Sequence, residues 1–292
     1  MTVTVSGSMP VGQPSPPTQR VVRVIELLAE QTGGRLTLAE IVRRTGFSRA
    51  TAHAVLTQLT IDGWVSREDG QFAIGAGFVA LARQAERGYP LRRLAAPMIH
   101  ELAADLDMPA FLAERVSEQI TVTELVGVPD MQWIRPGRRI ALRPPVCREF
   151  VAWAPEAERQ RWIDSAPPGA RDRLHDVLEV ICDRGYAVER LTGDHAEMID
   201  ALASLRDSPV SDTVRSRVAG LLAELTTIDY LPEESVGVVA VVTIGAPIID
   251  SEGTVIASIV VCPNREMSAD EMAHLGTSVA AAADRVAHAL AR

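Results

Sequence analysis

The sequence predicts an α+β protein with an N-terminal winged helix-turn-helix, a linker helix, and a larger domain in which helices pack on an antiparallel sheet. Two short amphipathic helices and a hairpin signal follow one another within residues 37–75. Beyond residue 90 helical and alternating patterns interleave, and the apolar strands come in pairs joined by turn residues. A chain of 292 residues is comfortable for two domains.

The first part of the chain predicts a disordered tail and then a helix. Residues 1–17 carry no charge and several Pro, Gly and Ser residues. They also lack the basic and apolar regions of a secretory signal. Residues 18–31 form an amphipathic pattern, and its apolar surface either completes the winged domain or also meets a second subunit. Both interpretations stay open.

Residues 37–75 form the motif on which the N-terminal domain is organised. Thr37 and Glu40 can cap each other's backbone amides at the start of a short helix. Ser48 is a good N-cap for a second helix, and residues 68–70 are a hairpin turn signal after it. A helix-turn-helix followed by a hairpin serves mainly to place its second helix in a DNA major groove.

The second helix of this motif leaves polar side chains off its apolar stripe. Arginine can bond guanine edges, glutamine can bond adenine, and hydroxyls near a helix N-terminus suit phosphates. An ordinary solvated helix face is the alternative. The candidate DNA-binding residues are Ser48, Arg49, Thr51, His53 and Gln58, with Arg43, Arg44 and Arg67 expected at the DNA backbone.

The chain after the motif divides into a linker and a long domain. The DNA-binding domain spans residues 18–75, residues 76–88 predict the linker helix, and Tyr89-Pro90 opens a domain of residues 89–292. In that domain the patterns predict helices at 91–107, 147–153, 155–164, 171–185, 194–205, 211–227 and 268–290, and strands at 110–113, 120–126, 131–134, 139–142, 186–189, 236–249 and 254–261.

The net charge of −9 is unevenly distributed. Residues 18–75 hold seven arginines against six acidic residues, a balance of +1, and residues 76–88 add two arginines and one glutamate. Residues 89–292 hold 20 arginines and 31 acidic residues, a balance of −11. Because the basic footprint of the winged domain is weak, we expect it to bind DNA as a dimer or larger assembly.

Several classes of protein are disfavoured by the sequence. No apolar run approaches the ~20 residues of a membrane helix. The three scattered cysteines match no disulfide framework or zinc pattern and suit a reducing cytoplasm. Phosphate loops, nucleophile elbows and HExxH motifs are missing, and the histidines at 175 and 195 lack ligand spacing. We therefore expect no enzyme activity, no catalytic or metal site, no cofactor and no membrane partner.

The winged-domain residues, with TQRVVRVIELLAEQ before them, resemble the N-terminal domain of IclR-family transcriptional regulators. RGYAVE and GAPIIDSEGTVIASIVVCP are similar to later segments of that family, and the likeness covers most of residues 18–292. It implies a GAF-like effector-binding and oligomerisation domain at 89–292 and a homodimer or homotetramer. It also implies a sequence-specific regulator, a repressor or an activator, whose affinity for double-stranded DNA is modulated by a small organic ligand.

Two departures from the family pattern bear on the sites. The family often carries an arginine where this chain has Ala54, so Arg49 and His53 must contribute more to DNA contact. In PPVCREFVAWA, prolines without a backbone N–H stand in a segment whose amides usually serve the ligand. The candidate ligand-binding residues are Val146, Arg148, Glu233, Thr243, Val260 and Cys262, with a buried core as the alternative. The altered pocket favours an apolar ligand, or none, over a small carboxylate.

Two other functions remain open at the level of the sequence. One is an enzyme with an appended winged domain, although residues 89–292 show no cofactor loop. The other is a protein-interaction module whose sheet only dimerises. A winged domain with a charge of only +1 would be tolerated in such a module.

Overall fold

The computed structural model describes residues 15–31, 33–131, 134–166, 168–190 and 229–292. The chain separates into two compact units, Met1–Tyr89 and Pro90–Arg292. Residues 1–14 of the expected tail lie outside the described residues, and so do the helices expected at 194–205 and 211–227.

The described part of the N-terminal unit contains four helices and a three-stranded antiparallel sheet. The helices are α1 (Pro16–Ala29), α2 (Leu38–Thr45), α3 (Arg49–Ile61) and α4 (Ala76–Arg87), and the strands are β1 (Leu36–Thr37), β2 (Val65–Glu68) and β3 (Gln71–Ile74), in the order β1-β3-β2. Helix α1 begins two residues before the expected start at residue 18 because proline suits the first helical turn. The sequence does not predict β1, since two residues are too few to show an alternating pattern.

Local signals fix the helix-turn-helix. The Thr37 backbone N–H donates to the Glu40 carboxylate at 2.8 Å, and the Glu40 N–H donates to the Thr37 hydroxyl at 3.3 Å. These hydrogen bonds lower the pKa of Glu40. Gly46 ends α2 in the left-handed conformation, with φ of 72°. A single core then joins the helices to the hairpin; it comprises Val24, Leu27, Leu28, Leu36, Ile41, Ala52, Leu56, Leu59, Val65 and Phe72.

The described part of the C-terminal unit is a six-stranded antiparallel sheet with helices on both faces. Its helices are α5 (Pro90–Leu106), α6 (Glu156–Asp164), α7 (Arg171–Arg184) and α8 (Ala269–Leu290). Its strands are β4 (Ala110–Val116), β5 (Gln119–Val126), β6 (Arg139–Ala141), β7 (Ala187–Glu189), β8 (Val238–Val241), β9 (Thr243–Ile249), β10 (Val255–Val261) and β11 (Arg265–Ser268). The large sheet has the order β6-β5-β4-β10-β9-β7, and β8 pairs with β11 separately.

The two faces of the large sheet belong to different hydrophobic clusters. One cluster joins α5 and α8 to Ile244 and Ile259, on one face of β9 and β10. The other joins Val260 on the opposite face to Phe150 and to α6 and α7. Successive side chains of a strand point to opposite faces, so both faces of the central strands are covered.

The structure corrects three of the expected elements. Residues 236–249 form two strands in different sheets, divided at Val242, because a continuous apolar run does not show where a strand changes sheet. The helix expected at 147–153 is only a 3-10 turn at Arg148–Phe150. Cys147, the residue before it, has a φ of 60°, a left-handed conformation that does not occur inside a right-handed helix. Met131 and Ile134, the described ends of the strand expected at 131–134, belong to no strand, and the Ile134 N–H donates to the Met131 carbonyl.

Candidate DNA-binding helix and ligand site

The N-terminus of α3 is capped by a side chain. The Ser48 hydroxyl accepts a hydrogen bond from the Thr51 backbone N–H at 3.1 Å and lies 2.8 Å from the Thr51 hydroxyl. Ser48 is exposed and Thr51 is half-buried. Free amides and the positive end of the helix dipole at this position suit a phosphate group.

The exposed face of α3 contains three of the predicted residues. Arg49, His53 and Gln58 are exposed, whereas the opposite side of α3 is buried in the core. Successive residues of a helix are turned by about 100° around its axis. Arg49 and His53 therefore lie toward one edge of the exposed face and Gln58 toward the other, and the centre of the face lies between them. That centre holds Ala50, Ala54 and Thr57, all exposed. Sequence reasoning missed Ala50 and Thr57 because small residues carry no charge or apolar signal.

A neighbouring carboxylate orients the Gln58 side chain. Gln58 Nε2 donates to both carboxylate oxygens of Asp62, at 3.1 and 3.0 Å. An ionised carboxylate only accepts hydrogen bonds, so the amide turns its NH2 group toward Asp62. The amide oxygen remains for another partner and suits a base-edge amino group, on cytosine or adenine. Gln58 in this orientation cannot form the two-bond contact with adenine that its residue type suggests.

The remaining basic candidates lie around α3 on the same unit. Arg43 and Arg44 are exposed in the last turn of α2. Arg67 is exposed on β2, with its guanidinium carbon 5.5 Å from the centre of the Phe72 ring. His53 Nδ1 lies 3.4 Å from the Thr57 hydroxyl. These positions are compatible with phosphate contacts at the edges of a DNA groove.

Most ligand candidates lie on the sheet face that the 3-10 turn covers. Thr243 begins β9, Val260 lies on β10, and Cys262 directly follows β10; all three are buried. Val146, which is half-buried, packs against the same hydrophobic cluster as Val260 and Cys262. Burial raises the pKa of the Cys262 thiol to about 12, so this group is a neutral thiol. Glu233 differs, because it is exposed on a 3-10 turn at Pro232–Glu234.

Arg148 is fully buried and bonded within the chain. Its guanidinium donates to the carbonyls of Pro145 and Val188, the latter at 2.9 Å. It also lies 3.1 Å from Glu189 Oε1 and 3.8 Å from Asp229 Oδ2. Burial alone would lower the pKa of Arg148, but the neighbouring carboxylates raise it. The guanidinium is therefore already neutralised by carboxylates of the chain.

Asp229 is the buried carboxylate at the centre of this network. It accepts hydrogen bonds from the backbone N–H groups of Val188 and Tyr230, each at 2.7 Å, and from the Arg184 guanidinium. Sequence reasoning missed Asp229 because a single aspartate whose partners lie elsewhere in the chain forms no local motif.

A second buried carboxyl group lies against the strands of the candidate site. A Cβ atom added at Gly245 would lie 3.2 Å from both Glu149 Oε1 and Ser258 Oγ. The missing side chain of Gly245 thus makes room for the Glu149 carboxyl group. Burial raises the pKa of Glu149, and it raises the pKa of Glu189 to about 7.

The raised pKa of Glu189 predicts a pH-dependent stability. Because Glu189 binds its proton more tightly in the folded state, its contribution is present below pH 4.5 and is lost as pH rises through about 7. Glutamine mimics the protonated form and cannot ionise. We therefore expect the unfolding free energy of Glu189→Gln, measured relative to that of wild type, to increase by on the order of 1 to 3 kcal/mol as pH rises from about 5 to about 8. Urea unfolding of both proteins across that range checks this, and a constant difference between them would contradict it.

Two hollows of the described surface lie away from these ligand candidates. A groove of about 760 Å³ runs along α4 and includes Val79, Arg83 and Arg87. A hollow of about 380 Å³ lies on α6 and α7. Among the residues that the structure describes, no three metal-binding side chains form a group, and no helix has the length and apolarity to cross a membrane.

Comparison with known proteins identifies the N-terminal motif. Residues 17–69 match the model of the IclR helix-turn-helix domain. The chain is 27% identical over 198 residues to the HTH-type transcriptional regulator KipR of Bacillus subtilis. This alignment covers 64% of this chain and 77% of KipR. It is 29% identical over 220 residues to the glycerol operon regulatory protein of Streptomyces griseus, covering 70% of this chain and 82% of that protein.

The fold matches a solved structure over nearly the whole chain. An IclR homolog from Microbacterium hydrocarbonoxydans, solved in complex with 4-hydroxybenzoate, superposes with a TM-score of 0.63 at 20% identity. The match covers 94% of this chain and 98% of that one. The fold class predicted from the sequence is thereby confirmed: an N-terminal helix-turn-helix precedes an antiparallel sheet flanked by helices.

Proposed function

We propose that this IclR-family transcriptional regulator binds operator DNA through α3, and that a small organic ligand in its C-terminal unit modulates the affinity. The observation that carries the proposal is the capped, polar, exposed α3 inside the residues that match the IclR helix-turn-helix domain. The β2–β3 hairpin that follows supplies the wing. A helix of this kind fits the major groove and presents its N-terminal side chains to base edges.

Four exposed side chains of α3 suit contacts with base edges. Arg49 can bond the O6 and N7 atoms of guanine in a fork. The methyl groups of Ala50 and Ala54 suit contact with thymine methyl groups, and the outward oxygen of Gln58 suits a base amino group. Arg67 on the wing would then hold a phosphate and set the register.

The exposed apolar side chains of α4 support a homodimer. None of the residues of α4 is buried, and Val79 and Leu81 are each 44% exposed. The first turn of α4 is held by the Phe78 ring, 5.5 Å from the Trp64 ring between centres, but the rest of its apolar side has no buried residue. Pairing α4 with its copy in a second subunit would bury these side chains. A dimer also presents twice the weak positive charge of one DNA-binding surface, and this larger charge strengthens binding to the DNA phosphates.

A charge at Val79 is therefore expected to weaken the dimer. In Val79→Asp, association would take a charged carboxylate out of water in place of an apolar side chain, so we expect the dimer dissociation constant to rise at least about tenfold. Sedimentation equilibrium measures it. Val128→Asp is the matched control, because Val128 is 88% exposed in the other unit. Equal dissociation constants for the two variants would contradict a contact through α4.

The ligand of the C-terminal unit is expected to be neutral or largely apolar. The related protein from Microbacterium hydrocarbonoxydans binds 4-hydroxybenzoate, an aromatic carboxylate. In this chain the buried cation near the candidate site, Arg148, is already paired with carboxylates of the chain. The neighbouring side chains Val260, Phe150 and Cys262 are apolar or neutral.

We place the protein in the cytoplasm, because its proposed partner is operator DNA and its cysteines are free thiols.

A gel-shift assay against the DNA upstream of the protein's own coding sequence tests the proposed function. We expect a shift that survives excess unrelated DNA and weakens steeply as salt increases, because phosphate contacts release counterions. A scrambled fragment of the same length is the control. No selective shift would refute DNA recognition and would favour a protein-interaction module instead. An enzyme with an appended winged domain has no support from the relatives, which are transcriptional regulators.

A further inference from the structure

We infer that the C-terminal unit contains an anion site built for a small carboxylate group, and that the chain's own Asp229 occupies it as an internal substitute for a ligand. The inference concerns the ligand chemistry of the proposed regulator, and its functional readout rests on that proposal. It predicts that wild-type protein does not respond to small carboxylates and that a variant without the Asp229 side chain does.

Three hydrogen-bond donors and one further guanidinium group surround the Asp229 carboxylate. Two backbone N–H groups, of Val188 and Tyr230, donate to its two oxygens at 2.7 Å each. The Arg184 guanidinium donates to Oδ2, and Arg148 Nε lies 3.8 Å from the same oxygen. Backbone amides combined with guanidinium groups are the donors that bind carboxylate ligands most strongly.

These donors come from separate elements of the fold. Arg148 lies in the 3-10 turn, Arg184 in the last turn of α7, and Val188 on the edge strand β7. Asp229 and Arg148 are both 0% exposed. The carboxylate thus joins three elements at one buried point. Its removal would leave the Arg184 guanidinium and two amides around an empty space of its own size, next to the Arg148 guanidinium, which keeps its 3.1 Å contact with Glu189.

The site is connected to the candidate ligand face of the sheet. The 3-10 turn that carries Arg148 also carries Glu149, whose carboxyl oxygen lies beside Gly245 and Ser258 on β9 and β10. A change at Asp229 would therefore shift the turn that covers Val260. Effector occupancy and DNA affinity are coupled reciprocally in a regulator of this type. Occupancy of the Asp229 site is expected to set operator affinity in the same way.

Chemical rescue of Asp229→Ala in the full-length chain tests the inference. Formate reproduces the missing carboxylate, formamide is its neutral analogue, and chloride at the same ionic strength controls for screening. In chloride we expect the operator affinity of Asp229→Ala to differ at least about fivefold from wild type. Formate should return it to the wild-type value, whereas formamide should not. Wild-type affinity should be the same in all three solutions.

Thermal unfolding gives a second readout that does not depend on DNA. Formate should raise the melting temperature of Asp229→Ala relative to chloride, because it binds only the folded state. Asp229→Asn keeps the side-chain volume and leaves no room for formate, so its melting temperature should not respond. If Asp229→Ala is unfolded in chloride, formate should restore the folded fraction.

Four results would overturn the inference. They are no formate response of Asp229→Ala in melting or affinity, a formate response of wild-type protein, equal rescue of Asp229→Ala by formamide, and a folded Asp229→Ala that binds operator as wild type does. Failure of the proposed function is distinguishable from these. In that case wild-type protein shows no selective DNA binding at all, while the melting response of Asp229→Ala to formate still decides whether the anion site exists.

Discussion

Replacing Arg148 by methionine is expected to destabilise the C-terminal unit by about 3 to 5 kcal/mol, because it leaves the Glu189 carboxylate without its cation and removes one of the two guanidinium groups beside the buried Asp229. Arg148 is 0% exposed and neutralises Glu189 and Asp229. Methionine preserves much of the side-chain length, so the loss is mainly electrostatic. Chemical denaturation followed by tryptophan fluorescence, to which the buried Trp162 contributes, measures the change.

Two comparisons separate this effect from a general intolerance of the segment. Arg143→Met alters an exposed arginine nearby and is expected to change stability by no more than about 0.5 kcal/mol. Combining Arg148→Met with Glu189→Gln removes the carboxylate that has lost its cation and should recover part of the loss. If Arg148→Met and Arg143→Met unfold at the same denaturant concentration, Arg148 is not the cation that holds the network together.

The double variant Arg49→Ala with His53→Ala is expected to lose about 100-fold or more in operator affinity. Each good contact to a base edge contributes roughly 1 to 3 kcal/mol of discrimination, and a dimer carries two copies of each. Both residues are exposed on α3 and outside the core, so the fold should be retained. Fluorescence anisotropy with operator and unrelated DNA gives the two affinities.

The matched control for that variant is Arg20→Ala. Arg20 is exposed on α1, and its loss removes charge without touching α3. We expect a small decrease that is equal for operator and unrelated DNA, since such a charge acts through the phosphates. A double variant that behaves like Arg20→Ala would show that α3 does not read base edges.

The helix-turn-helix could be predicted from the sequence because its signals are local. The Thr37–Glu40 capping box, Gly46 and the Ser48 cap each act within four residues and are all present in the structure. The hairpin of β9 and β10 is similar. Its turn at residues 250–253 closes with the Asp250 carboxylate accepting from the backbone N–H groups of Glu252 and Thr254.

The buried ionic network could not be predicted from the sequence, because its members are far apart in the chain. Arg148, Arg184 and Asp229 are ordinary polar residues until the fold brings them together. Gly276 on α8 is another example. A glycine inside a helix usually indicates weakness, but a Cβ atom here would lie 2.3 Å from the Tyr186 ring. Packing against a distant aromatic residue therefore requires the glycine.

The most direct test of the central claim is hydroxyl-radical footprinting of the protein on DNA that it binds selectively. A dimer presenting two copies of α3 predicts two protected regions on one face of the DNA. Their centres should lie one helical turn apart, about 34 Å, or a multiple of that distance. Both regions should disappear with the Arg49→Ala and His53→Ala double variant. A single unpaired region, or a footprint that the double variant leaves unchanged, would contradict recognition by a pair of α3 helices.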